Sequence, residues 1–255
     1  MGKGKARGIW RFLRGSLLPL ALVAMWWLSA NRGFGTGILP GPDDLATTIN
    51  RLVSSGELTG HVRISLWRIA YGFGIAAGTA VPLGIMVASL PGFGQLLLPA
   101  LEFLRQIPPV AWIPVFILTL GIGEATKLAV IVYAAFFPIF MNTILGVDQI
   151  DSHYWEVAQL LQFSRWESLR ELILPAATPS LITGLRLGMS NSWRALVAAE
   201  MLAAFSGLGY MIMSARSLVR MDEVFVGIAV IGLLGSLFDW GWRAIEKRLL
   251  YWRGT

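Results

Sequence analysis

Four polar side chains interrupt a run of Leu, Ile and Ala near residues 176–205: Arg186, Ser190, Asn191 and Arg194. Residues eight apart on a helix come back close to one face. Arg186 and Arg194 therefore form a strip, with Ser190 and Asn191 between them. Guanidiniums with hydroxyl and amide donors are what an anion needs when it leaves bulk water, and ionisable groups at such depth are costly without a purpose. Arg105, in a proline-rich apolar run, and Glu200, beyond the strip, are the other candidates for a polar path, Glu200 as a gate or a packing contact. A structural reading competes. Glu102 and Arg105 lie three apart and can neutralise each other, and Arg186 can pair with Asp239 or with Glu102.

A second stretch has a different character. "EVAQLLQFSRWESLRELILP", Glu156 to Pro175, is polar and charged between two apolar runs. Asp151 and Ser152 can cap a helix that begins near His153. Gln162 and Phe163 interrupt it. "SRWE", Ser164 to Glu167, has the spacing of a capping box. A second helix over Trp166–Leu174 is expected to stop before Pro175, because the residue ahead of a proline is driven out of helical space. Two short helices with a bend make a compact knob. Tyr154, Trp155 and Trp166 are anchors of the kind that dominate protein contacts, and Glu156 can meet a basic group. On these residues alone, an amphipathic loop lying on a membrane is an equal alternative.

Other chemistry is missing. The chain has no cysteine, so no disulfide or thiol chemistry. It has no G-x-x-x-x-G-K-[ST] phosphate loop and no H-E-x-x-H, and its two histidines are His61 and His153. No G-x-S-x-G elbow appears. No catalytic residue, metal site or bound cofactor is expected, which leaves channels, transporters and membrane scaffolds.

The elements that position these residues follow from hydropathy. Of 255 residues only 14% are charged, 55% are hydrophobic, and mean hydropathy is +0.64. Ile69–Leu90 carries no ionisable side chain except Tyr71, and Leu128–Val147 none except Tyr133. A bilayer core needs roughly 20 apolar residues per helix. Six spans are predicted, near 11–30, 64–90, 96–120, 125–147, 176–205 and 223–250. The fold class is therefore all-α and polytopic. Pro99, Pro108, Pro109 and Pro114 should kink the third span. Lys3, Lys5, Arg7, Arg11 and Arg14 before Leu17–Leu28 resemble a signal peptide, but no clean cleavage site follows, and Trp26 and Trp27 suit an interfacial belt. An even number of spans puts both termini on one side. With that side cytoplasmic, Lys and Arg divide eleven against six in favour of N-in. The net charge of +6 is then topological and implies no nucleic acid. "LATTINRLVSSGEL" reads as an interfacial helix or a connecting loop. The pairs Gly74/Gly78 and Gly184/Gly188 allow close helix packing.

The knob resembles the Glu-Ala-Ala signature of the permease subunits of importers driven by ATP-binding cassettes. Glu156 and Ala158 match its first and third positions, and Leu172, Leu174 and Pro175 fall at the required spacing. Val157 replaces an Ala and Gln162 replaces a Gly, which leaves the bend geometry open. "LRQIPPVAWIPVFILTLGIG", "FFPIFMNTILGV", "ILPAATPSLITGLRLGMSNSWRALVAAEM" and "SGLGYMI" are similar to permeases for sulfonate, taurine, nitrate and bicarbonate. The resemblance implies a core of five importer-type helices plus an N-terminal one. Residues 1–60 would hold the basic segment, first span and external loop, and 61–255 the permease core, with coupling helices at 151–174. It implies ATPase contacts at Tyr154, Trp155, Glu156, Val157, Ala158, Gln162, Arg165, Trp166, Leu174 and Pro175. It also implies a path for a small anion along Arg105, Arg186, Ser190, Asn191, Arg194 and Glu200, with "SGLGYMI" folding back as a gate. The implied partners are a second copy, forming a homodimeric pore, two ATPase subunits carrying ATP and Mg, an external binding protein and membrane lipid. The expected place is the cell inner membrane. Nitrate or bicarbonate is the alternative cargo, and a stand-alone channel or secondary transporter the alternative mechanism.

Overall fold

The computed structural model describes residues 26–27 and 40–251. Most of the first predicted span and the basic residues before it lie outside the described residues. Every described element is helical: α1 Pro42–Ser54, α2 Glu57–Ser89, α3 Pro91–Leu104, a tight turn Pro109–Trp112, α4 Ile113–Leu120, α5 Glu124–Asp148, α6 Ser152–Leu160, α7 Arg165–Glu167, a wide π-helical stretch Ser168–Ile173, α8 Leu174–Ala203, α9 Leu208–Ser217 and α10 Met221–Leu249. Four helices are long and apolar enough to cross a membrane: α2, α5, α10, and α7 through α8 as one rod, Arg165–Ala203. A fifth span is counted if the pair Gly92–Leu104 and Pro109–Leu120, bent by 88°, is taken together.

α5 runs through the middle, between α2 and α8. Small residues on its neighbours make this possible. A Cβ on Gly72 of α2 would meet Ile131 at 2.6 Å, and one on Gly184 of α8 would meet Asn142 at 2.7 Å. Such approach lets dispersion act between helices that lipid alone would not drive together. Gly184 and Gly188 thus pack as their spacing suggests. Gly74 and Gly78 do not: open space surrounds both, and Gly72, Ala76, Ala80 and Gly84 form the packed edge of α2. α10 keeps few side chains buried and presents Ile228, Leu233, Leu237 and Trp240 outward, as a lipid-facing helix does.

The kink in the third predicted span is sharper than proline bending of one helix. α3 stops at Leu104, and Pro108 and Pro109 restart the chain at a large angle. The carbonyls freed there need partners in a dry environment. Tyr133 supplies one: its hydroxyl donates to the Leu104 carbonyl at 2.5 Å, with the Ile107 carbonyl at 3.2 Å. "LATTINRLVSSGEL" is helical over α1. It docks on the start of α10, Thr48 donating to Asp222 and Arg51 to Glu223 at 2.7 Å.

Candidate functional site

Three groups of residues matter, and they sit at different levels of the bundle. The end where α5 and α8 meet α6 and α7 is the knob end; the other is the far end.

The knob is built by local rules. Asp151 Oδ1 accepts from the His153 N–H at 2.9 Å. The capping box forms as its spacing predicts: Ser164 Oγ accepts from the Glu167 N–H, and Glu167 Oε2 from the Ser164 N–H at 2.7 Å. Between them Gln162 takes φ +56° in the left-handed region. The Phe163 N–H reaches back to the Ala158 carbonyl at 2.9 Å, closing α6 by the usual left-handed helix end. The bend expected of glycine is therefore made by glutamine, at about 1 kcal/mol of backbone strain.

The second knob helix differs from expectation. It does not stop at Pro175. α7 passes through the wide turns of Ser168–Ile173 straight into α8. Pro175 lacks an N–H and its ring crowds the carbonyl four residues back; the widened turns let the rod continue without that bond. α8 is thus covalently rigid with half of the knob. Trp155 also departs from its expected role. It packs inward on Val147, Ile173 and Ala177. Arg165 lines a groove with Trp155 along the end of α2. What protrudes is Tyr154, Glu156, Val157, Leu160 and Trp166, with Leu160 82% and Trp166 69% exposed. Ala158 is buried, Gln162 exposed at the bend, and Leu174 and Pro175 lie where α8 begins.

A cavity of about 600 Å³ opens beside the break between α3 and α4. Its polar lining comes from Arg105, Tyr133, Asn142, Asn191 and Arg194, and among the described residues no carboxylate lines it. Arg194 is oriented by its own helix, Nε donating to the Ser190 carbonyl at 3.0 Å and Nη2 to Asn191 Oδ1 at 3.2 Å. Arg105 makes no ion pair among the described residues, so the expected Glu102–Arg105 neutralisation is not formed. Three expected path residues are elsewhere. Arg186 faces α10 and pairs with Asp239 at 2.8 Å and Glu246 at 3.3 Å; Asp239 also holds Arg243. Eight residues overshoot two full turns by about 80°, and that angle separates Arg186 from the cavity face of Leu187, Asn191 and Arg194. Ser190 contributes its carbonyl to Arg194 rather than a hydroxyl to the cavity lining.

Glu200 is the third. It is 0% exposed, inside a network that sequence reading missed. Arg68 of α2, also 0% exposed, uses all five guanidinium N–H groups. Two go to Glu124 of α5, at 2.8 and 2.6 Å, one to Glu200 of α8 at 2.8 Å, and two to Ser206, at its carbonyl (2.7 Å) and hydroxyl (2.9 Å). Lys127 adds a third bond to Glu124 at 2.7 Å. Two cations thus balance two carboxylates. Three successive backbone donors at the start of α9 are also held: Gly207 N–H by His61, Leu208 N–H by Ser65 and Gly209 N–H by Glu200. Gly207 has φ +107°, and a Cβ there would collide with the Glu200 carboxylate. "SGLGYMI" therefore does fold back, but as a segment clamped between α2 and α8. The missed signal was Arg68 itself. The uncharged run starts at Ile69, and Arg68 just before it, though inside the predicted span 64–90, carries no weight in that reading as a buried charge in need of carboxylates.

Known proteins are similar to this chain in sequence and in fold. The sequence model of the family described as "Binding-protein-dependent transport system inner membrane component" matches residues 80–251. The aliphatic sulfonates transport permease protein SsuC of Bacillus subtilis is 38% identical over 257 residues, covering 99% of this chain and 91% of its own length. The taurine transport system permease protein TauC of Escherichia coli is 35% identical over 239 residues, 91% of this chain and 87% of its own. Among solved structures, a chain of the inward-facing MetNI methionine ABC transporter superposes with TM-score 0.65 at 16% identity, covering 75% of this chain and 95% of that one, which shows a shared fold.

Proposed function

Because the chain belongs to the binding-protein-dependent transport inner membrane component family, the permease subunits of ATP-binding-cassette importers and not enzymes, we propose that it carries a small anion with a sulfonate-like head through the cavity at Arg105 and Arg194. One observation carries this reading: among the described residues the cavity's charged lining is two guanidiniums with no carboxylate to neutralise them. Asn142, Asn191 and Tyr133 add neutral hydrogen-bonding groups around them. A sulfonate offers three oxygens, enough to engage both arginines at once, and the relatives named above carry sulfonate and taurine in their names. Nitrate and bicarbonate are smaller anions that would bridge the same arginines less completely.

The cavity is open on one side, so a second copy completes it, and a binding protein delivers the anion at the far end. The knob end faces the cytoplasm, both termini with it, and two ATPase subunits hold ATP and Mg against residues 151–174. Their closure would reach the cavity through the continuous rod of α7 and α8.

Arg194→Leu tests the reading. In vesicles holding the permease with its ATPase and binding protein, uptake of the delivered anion should fall at least tenfold, since a lost hydrogen bond to a charged group is worth about 1.5–3 kcal/mol. Arg186→Gln, which removes only the tie to α10, should leave the preference among anions unchanged. Full uptake by the Arg194→Leu protein would rule the path out.

A further inference from the structure

The Arg68 network lies outside the cavity, yet it fixes the walls that close it. Ala134 of α5 and Ala195 of α8 line the cavity and also belong to an apolar seat with Val130, Ala199 and Ala203. On this seat rest Ile113, Phe116 and Ile117 of α4. α4 thereby sits on the far-end side of the cavity, against Val130, Ala199 and Ala203. Its further attachments are short: Thr126 Oγ1 bonds to the Phe116 and Gly121 carbonyls, and Gly121 has φ +79°. The seat's two sides are held at one point. Glu124 precedes Val130 on α5, and Glu200 and Ser206 flank Ala203 at the end of α8; all three are bound by Arg68. Glu200 lies about 100° around α8 from Ala199, so a contact beside the seat ties α8 to α5 through Arg68.

We propose that Arg68 is a positioning residue for transport: by clamping α5, α8 and the Ala204–Gly207 turn to α2, it holds the alanine seat at the spacing on which α4 closes the cavity toward the far end. This rests on the reading of the cavity as the transport path. Glu124 is the arm that can be loosened, because its side chain is half exposed while Arg68 and Glu200 are buried. Weakening that arm lets α5 and α8 separate, and the cavity opens to the far side without any signal from the knob.

The absence of cysteine makes a direct test possible. Asn191→Cys places a reporter in the cavity, and Leu196→Cys places a control in the buried core where α2, α8 and α9 meet. Membrane vesicles of both orientations, holding the assembled importer without ATP, are treated with a membrane-impermeant maleimide. With the network intact, the cavity cysteine should react from the knob face and slowly from the far face. Adding Glu124→Gln or Ser206→Ala should speed far-face labelling at least fivefold and leave the core control unlabelled. An unchanged far-face rate, with knob-face labelling intact, overturns the clamp alone. Labelling of the core control in parallel with the reporter also overturns it, since the network would then only hold the fold together. No labelling of the reporter from either face would remove the cavity reading and the clamp with it.

Discussion

Arg68→Ala should leave little folded subunit in the membrane. The substitution strands the Glu200 carboxylate at full burial, retaining only the Ser65 hydroxyl and the Gly209 N–H, and frees the Ser206 carbonyl and hydroxyl as well. Breaking a buried pair from one side costs about 3–5 kcal/mol, set against a total stability on the order of 5–15 kcal/mol. Thermal unfolding of the detergent-solubilised protein and its level in the membrane report the loss. Arg68→Lys should be intermediate: it keeps the charge but offers a single ammonium where five donors in a planar fork are used. Arg51→Ala is the contrasting case. Arg51 also pairs with carboxylates, Glu223 at 2.7 Å and Asp222 at 3.9 Å, but its side chain is half exposed. Its loss should cost no more than about 1 kcal/mol. Equal destabilisation by the two alanine variants would mean that burial does not govern the network's worth.

Glu156→Lys should abolish ATP-driven uptake while insertion and stability stay normal. Glu156 is exposed, and its one ion pair is to exposed His153 at 3.7 Å, so the fold has almost nothing to lose. Its value lies in the partner it meets. A like charge placed against a basic group at an interface costs several kcal/mol, which is about a thousandfold in the coupling contact. ATPase subunits should no longer co-purify with the variant. The two knob tryptophans should separate in the same assay. Trp166→Ala, with an exposed ring, should weaken the ATPase contact; Trp155→Ala, with its ring among Val147, Ile173 and Ala177, should lower stability instead.

The long uncharged runs made the spans legible, because hydrocarbon thickness imposes a length that composition alone reveals. The Asp151 cap and the Ser164–Glu167 box were legible for a different reason: each depends on residues within three positions of one another. What depended on tertiary contacts was not. Nothing near Pro175 announces the wide turns that carry α7 into α8. Gly74 and Gly78 have the same spacing as Gly72 and its neighbours, and only the position of α5 decides which edge is packed. The strip through Arg186 failed on an angle of about 80°, which becomes visible once Asp239 stands opposite. Arg68 was hidden by its place at the edge of an apolar run, while its carboxylates lie far away in sequence, at Glu124 and Glu200.

The account stands on the claim that the knob is gripped by a motor in the cytoplasm. A single cysteine at Leu160, an 82% exposed residue at the end of α6, tests it in this otherwise cysteine-free chain. An impermeant thiol reagent should label it only from the cytoplasmic face, and bound ATPase subunits should block the labelling. Labelling from outside the cell, or at an undiminished rate in the complete assembly, would contradict the claim.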